Sequence, residues 1–203
     1  MNLSSANNIF RKLPVIETSR LRLRKLLLRD AADMFEYASL PEVAENLTWE
    51  CHRNISDSLH YLRMILKQYE DNLPSPWGIV LKDNGKLIGT VGFNSVSYQN
   101  AFAEVGYVLS RHYWGNGLMS EALSEVVKFG FEVMNLNRIE ATCNTQNRRS
   151  ESVMKKCGFS FEGILRGRLL VKNKFLDLKM YSIMKSEYLK MKKSEDVVQN
   201  EKA

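Results

Sequence analysis

From Leu21 to Leu26 apolar and basic side chains alternate, Leu21 and Leu23 against Arg22 and Arg24, which predicts a half-buried strand. Asp30 then stands where a cap would start a helix running through Asp33, Phe35 and Tyr37. Ser56 is a second candidate cap. Behind it Leu59, Leu62, Ile65, Leu66 and Tyr69 recur at helical spacing until Pro74 and Pro76 stop the pattern. Trp77 to Leu81 and Leu87 to Asn94 are short apolar runs joined through Asn84-Gly85, a strong hairpin signal, and Ala103 to Ser110 predicts a further antiparallel strand. Leu118 to Met134 has the period of a long amphipathic helix. Arg138 to Cys143 reads as a strand, Ser150 to Cys157 as a helix ended by Gly158, and Phe159 onward and Phe175 to Met184 as strands. The order predicts an α+β fold: one mixed, mostly antiparallel central sheet flanked by helices, with a strand–helix–strand unit at its centre.

Composition adds limits to that picture. A chain of 203 residues that is 44% hydrophobic and 26% charged can bury a core without disulfide or metal staples. Cys51, Cys143 and Cys157 are scattered without CxxC spacing, which reads as reduced thiols in a cytoplasmic protein. Met1 to Lys12 lacks the apolar stretch of a secretory signal, and no apolar run is long enough to cross a membrane. The net charge is +6. The whole excess lies in residues 1–29, where Arg11, Lys12, Arg20, Arg22, Arg24, Lys25 and Arg29 face only Glu17. A solvated strand face explains this cluster better than a nucleic-acid site, so no direct nucleic-acid partner is expected. His52, His60 and His112 lack metal-ligand spacing, and no metal is expected.

The chemistry concentrates between Tyr107 and Ala122. A strand feeds a Gly-x-Gly turn, Gly115 and Gly117, and a long helix begins at once. Glycines let the backbone turn its amides toward a ligand, and a helix N-terminus adds unpaired N–H donors and partial positive charge. Together these form a phosphate cradle. A dinucleotide fingerprint would need a third glycine where Ser120 stands, and a Walker A loop would need Gly-Lys-Ser/Thr; neither is present.

The segment resembles the acetyl-CoA motif of the GNAT acetyltransferases, Gln/Arg-x-x-Gly-x-Gly/Ala, with His112 at the Gln/Arg position and Gly115 and Gly117 matching. The wider string from Glu104 to Ala122, Leu-Arg-Leu-Arg at Leu21 to Arg24, and Asn147 and Ser150 before the Gly158-Phe159 pair resemble the ribosomal-protein-alanine N-acetyltransferase (RimJ/RimL-like) branch. Glu162-Gly163, Asp177 and Tyr181 fit as well. The resemblance covers about Ile16 to Met184. It divides the chain into an N-terminal extension at 1–15, a GNAT domain at 16–185 and a polar tail at 186–203 that is expected to be disordered.

What the resemblance implies is direct attack of an amine on the thioester of acetyl-CoA, with no metal. Trp114, Gly115, Asn116, Gly117, Leu118 and Met119 would hold the pyrophosphate through their amides. Val108, Leu109 and Ser110 would run beside the pantetheine arm, and the Asn147 amide would contact it, although Asn147 is equally placed to cap the following helix. Glu104 is the candidate base and Ser150 the hydrogen-bond donor to the departing thiolate. Where some members of the branch carry a further proposed carboxylate base, this chain has Leu169. Trp49 is the candidate for lining the acceptor site. A protein α-amine, with a pKa of about 7.7–8.0, is partly neutral at physiological pH, so its base has modest work. The acceptor that the resemblance implies is a protein N-terminus, first of all that of a ribosomal protein. A small amine such as a polyamine, amino acid or antibiotic is the alternative, which Glu42, Glu45 and Glu50 could attract. A silent acyl-CoA-binding module is a third. A homodimer is the assembly that the resemblance suggests.

Overall fold

The computed structural model describes residues 8–171 and 173–200. Eight strands make one sheet: β1 (Ile16–Glu17), β2 (Leu21–Arg24), β3 (Pro76–Leu81), β4 (Leu87–Ser97), β5 (Phe102–Leu109), β6 (Arg138–Asn144), β7 (Ser160–Val171) and β8 (Lys174–Met184). Their spatial order is β1-β2-β3-β4-β5-β6-β8-β7, and every neighbouring pair is antiparallel except β5 with β6. That parallel step needs a crossover, which α4 (Leu118–Glu132) provides. The helices α1 (Ala31–Ala38), α2 (Pro41–Ala44) and α3 (Ile55–Glu70) precede the long hairpin, and α5 (Arg148–Lys156) and α6 (Lys185–Asn200) follow β6 and β8. The α+β reading is thus the observed fold.

Leu87 to Phe93 of β4 is buried at every position, because α1 packs against this strand as well as α4 and the two cover opposite faces. Trp77 sits edge-on to Phe93 and to Phe129 of α4, with ring centroids 6.3 and 5.2 Å away, and its Nε1 donates to the Pro14 carbonyl at 2.8 Å. The described residues before β1 reach into this packing, since Phe10 is fully buried against Phe93.

Four local expectations are corrected. Asp30 is the residue before α1, but its carboxylate does not cap that helix; it accepts two bonds from Arg24, each 2.8 Å, and one from the Leu27 amide. An ion pair that is nearly buried outweighs a cap. The cap of α3 is Asn54 rather than Ser56: the Asn54 side chain accepts from the Ser56 amide at 2.9 Å, and Asp57 closes a capping box. Asn147 caps α5, which therefore starts at Arg148 rather than Ser150. The polar segment after Met184 is the helix α6 instead of a disordered tail. Tyr188 stacks on Phe131 at 5.1 Å and donates to Glu132, which also accepts from Lys192, so a few anchors on one face order it. Residues 201–203 lie outside the described residues.

On the outer strands Arg138 donates to Glu140 at 2.6 Å and forks onto Glu162 at 2.6 and 2.5 Å, while the Ser182 hydroxyl donates to Glu162 at 2.6 Å. The Arg138 guanidinium, helped by Ser182, holds the Glu162 carboxyl down from 4.5 to about 2. A depressed folded-state pKa stabilises the fold fully above about 4.5 and loses that contribution as pH falls toward 2. The melting temperature should therefore decline less steeply over that window in Glu162→Gln than in the parent; parallel declines in melting curves against pH would refute the linkage.

Candidate active site

Strands β5 and β6 pair only from Phe102↔Arg138 to Glu104↔Glu140; β5 then continues to Leu109 with no β6 partner. The two strands diverge, and a cavity of about 300 Å³ opens along the freed edge. Tyr107, Val108 and Leu109, three successive residues, all line it, so the cavity follows the strand's edge rather than one face. Gly115, Gly117 and the first turn of α4 line it as well, together with Val43 and Leu47 from α2 and the turn after it.

The glycine loop has the geometry an anion needs. Gly115 and Gly117 take φ of +82° and +74°, which side-chain-bearing residues adopt only under strain. Gly117 is the residue before α4, and no side chain caps the helix. The amides of Leu118, Met119 and Ser120 thus have no partner in the helix, and these residues line a cavity whose other lining residues include Arg149 and Lys156. Arg149 lies 4.5 Å over the Trp114 ring, whose Nε1 donates to Leu109 O at 2.9 Å. Glu42, an acid on the cavity wall, is ion-paired to Arg111. The donor set fits a multiply charged phosphate ligand.

Of the residues singled out from sequence, Val108, Leu109, Trp114, Gly115, Gly117, Leu118, Met119, Asn147 and Ser150 line this cavity. Ser110 and Asn116 are outside its lining; Ser110 is buried, its hydroxyl without a hydrogen-bond partner. Glu104 is half-buried at the last rung of β5–β6 pairing and accepts from the Thr142 hydroxyl at 3.2 Å. Val105, paired with Phe93, faces α4; alternation therefore puts Glu104 on the opposite face. Trp49 is not brought to the cavity. Its ring stands 5.4 Å from His52, whose imidazole pKa is lowered by burial and which is bonded to Ser58 at 2.8 Å.

The structure adds one residue that sequence reading missed. The Tyr107 phenol is 2.8 Å from the Ser150 hydroxyl and 3.1 Å from the Ser150 carbonyl. Burial pushes the Tyr107 pKa up, beyond the opposing effect of that hydrogen bond, so the phenol stays protonated. It fixes Ser150 on the cavity wall, at the N-terminal turn of α5. Cys143 and Cys157 are free and buried, and burial raises both thiol pKa values, which makes them poor nucleophiles. Tyr181, which fits the branch pattern, is buried, and burial pushes its pKa up to about 12. Among the described residues no group of three or more metal-binding side chains is gathered, and no helix is long and apolar enough to cross a membrane.

Residues 20–160 match the model of the acetyltransferase (GNAT) domain. The chain belongs to the GNAT family. This acetyltransferase is 35% identical to the uncharacterized N-acetyltransferase p20 of Bacillus licheniformis, over 87% of its own length and 99% of the relative's. It is 24% identical to the ribosomal-protein-serine acetyltransferase of Escherichia coli K12, over 69% and 82% of the two chains. Its fold superposes on a GNAT-family acetyltransferase of Bacillus anthracis with a TM-score of 0.76 and 26% identity, covering 85% of this chain and 99% of that one. The enzyme is an N-acetyltransferase, and enzymes of this family use acetyl-CoA.

Proposed function

We propose that this acetyltransferase transfers the acetyl group of acetyl-CoA to the N-terminal α-amine of a protein, with a ribosomal protein as the acceptor class. The observation that carries the reading is the divergence of β5 from β6, with the cavity along the freed edge and Glu104 at the last paired rung on the opposite sheet face. Two reactants could then meet through the gap, one from each side, which turns a bimolecular step into an effectively unimolecular one.

In this reading the amides from Gly115 to Met119 hold the pyrophosphate, and Arg149, over the Trp114 ring, and Lys156 add positive charge to the cavity lining. The pantetheine arm follows the free edge of Val108 to Ser110, past Asn147. Acetyl-CoA supplies the activated acyl group. Glu104 takes the proton from the incoming amine, directly or through a water, and Ser150, held by Tyr107, donates a hydrogen bond to the departing sulfur. The likeness to the E. coli ribosomal-protein enzyme supports a protein acceptor. The Glu42–Arg111 pair removes one of the acids that a polycationic small amine would have used.

Purified ribosomal proteins incubated with acetyl-CoA, with and without the enzyme, test the proposal by intact mass spectrometry. One acetyl increment on an N-terminal peptide is the expected result. No increment on any of them, from enzyme that binds acetyl-CoA, would exclude ribosomal acceptors and turn the search to small amines.

A further inference from the structure

We propose that Arg20 is a positioning residue for the co-substrate's pyrophosphate, acting from behind the glycine loop without touching the ligand; this rests on the reading of that loop as a phosphate cradle. Gly115 and Gly117 line the cavity, whereas Arg20 and Asn116 do not. From the rear, the Arg20 guanidinium spans two acceptors. Its Nε and Nη2 hold the Glu121 carboxylate at 2.7 and 2.6 Å, and its Nη1 donates to the Asn116 carbonyl at 2.9 Å. The turn around Arg20 completes the grip: the Thr18 hydroxyl, the Ser19 hydroxyl and the Arg20 amide all donate to Glu121, at 2.5, 3.1 and 3.1 Å.

Two consequences reach the cradle. In a trans peptide the carbonyl and the following N–H point in opposite directions. Holding the Asn116 carbonyl back toward Arg20 therefore turns the Gly117 N–H away from Arg20, toward the lined side of the loop. The second consequence is charge. Glu121 lies in the first turn of α4, where its carboxylate competes with a bound phosphate for the helix N-terminus. Burial of that carboxyl works to raise its pKa, but the bonds from Thr18 and Arg20 outweigh it, so Glu121 stays ionised and needs a counter-charge. Arg20 supplies it. Lysine could balance the charge, but it cannot span the carboxylate and the carbonyl with a rigid fork.

The test compares acetyl-CoA with acetyl-pantetheine, which has the thioester arm and no pyrophosphate. Titrations followed in amide NMR spectra read both dissociation constants and the Gly117 resonance. Arg20→Ala should weaken acetyl-CoA about tenfold, in keeping with the loss of charge-assisted bonds, while acetyl-pantetheine stays within about twofold. Arg20→Lys should fall between parent and Arg20→Ala. Equal losses for both ligands would mean a general structural brace and overturn the proposal, as would undiminished acetyl-CoA affinity. If Arg20→Ala does not fold, Arg20→Lys decides: a loss confined to acetyl-CoA supports the proposal, and any other pattern overturns it. A parent that binds both ligands equally would remove the cradle itself, and the proposal with it.

Discussion

A Gly117→Glu variant is expected to keep its fold and lose acetyl-CoA binding by about a hundredfold or more, equivalent to about 2.7 kcal/mol. Two physical effects add. Gly117 has φ +74°, so any side chain there carries left-handed strain of about 1–2 kcal/mol and shifts the peptide that presents its amide. The new carboxylate also lies within a helical turn of the anion site, where a unit charge is worth about 2 kcal/mol at an effective dielectric near 20. The nearest atom to an added Cβ is Nη2 of Arg20 at 3.7 Å, so the substitution meets open space and not the core. The glutamate would compete with Glu121 for that guanidinium. Gly117→Ala carries the strain without the charge and should lose less. Isothermal calorimetry of both variants checks the expectation, and undiminished affinity in Gly117→Glu would sink the phosphate assignment.

The cradle was readable in the sequence because its chemistry belongs to the backbone. Gly115 and Gly117 mark a conformation, and the apolar period from Leu118 marks the helix whose amides do the binding. The same holds for the Asn84-Gly85 hairpin, where local chemistry specifies local geometry: Gly85 takes φ +73° between β3 and β4. What escaped was set by residues far apart along the chain. Tyr107 and Ser150 are separated by 43 positions, and nothing near either shows that the phenol will hold the hydroxyl. Arg20 and Glu121 are 101 positions apart. In sequence Arg20 reads as one of seven basic residues in a solvated segment, yet its partners are the phosphate loop's own Asn116 carbonyl and Glu121 in the first turn of α4.

Caps and tails failed for a related reason. Ser56 and Asn54 are both good N-caps by composition, and the choice depends on which residue has the extended backbone: Asn54 does, at φ −155°. Asp30 has the composition of a cap, but the alternation that puts Arg24 on the solvent face gives no sign that this arginine, six residues earlier, pairs with it. In α6 the polar composition suggested disorder, whereas three contacts, from Tyr188 to Phe131 and Glu132 and from Lys192 to Glu132, suffice to dock one face. Composition averages over such anchors.

Glu104→Gln is expected to lower kcat by about a hundredfold or more while leaving acetyl-CoA affinity unchanged. The substitution is nearly isosteric, and the Gln carbonyl can still accept the Thr142 hydroxyl that holds Glu104 at 3.2 Å, so the strand apex keeps its geometry. Glu104 lies on the sheet face opposite Tyr107 and Ser150 and outside the cavity lining, so the cofactor end of the site is untouched. What disappears is the proton acceptor. An α-amine with a pKa of about 8 is mostly protonated at pH 7, and the variant must wait for the neutral fraction that solvent provides. Its deficit should therefore shrink as pH rises past the pKa of the amine, because the substrate then arrives already deprotonated. A general structural defect would give the same deficit at every pH. Steady-state rates across that range distinguish the two, and a kcat and pH profile equal to the parent's would remove Glu104 as the base. With Leu169 unable to accept a proton, the search would then pass to a solvent-borne base or to the acceptor's own deprotonated fraction.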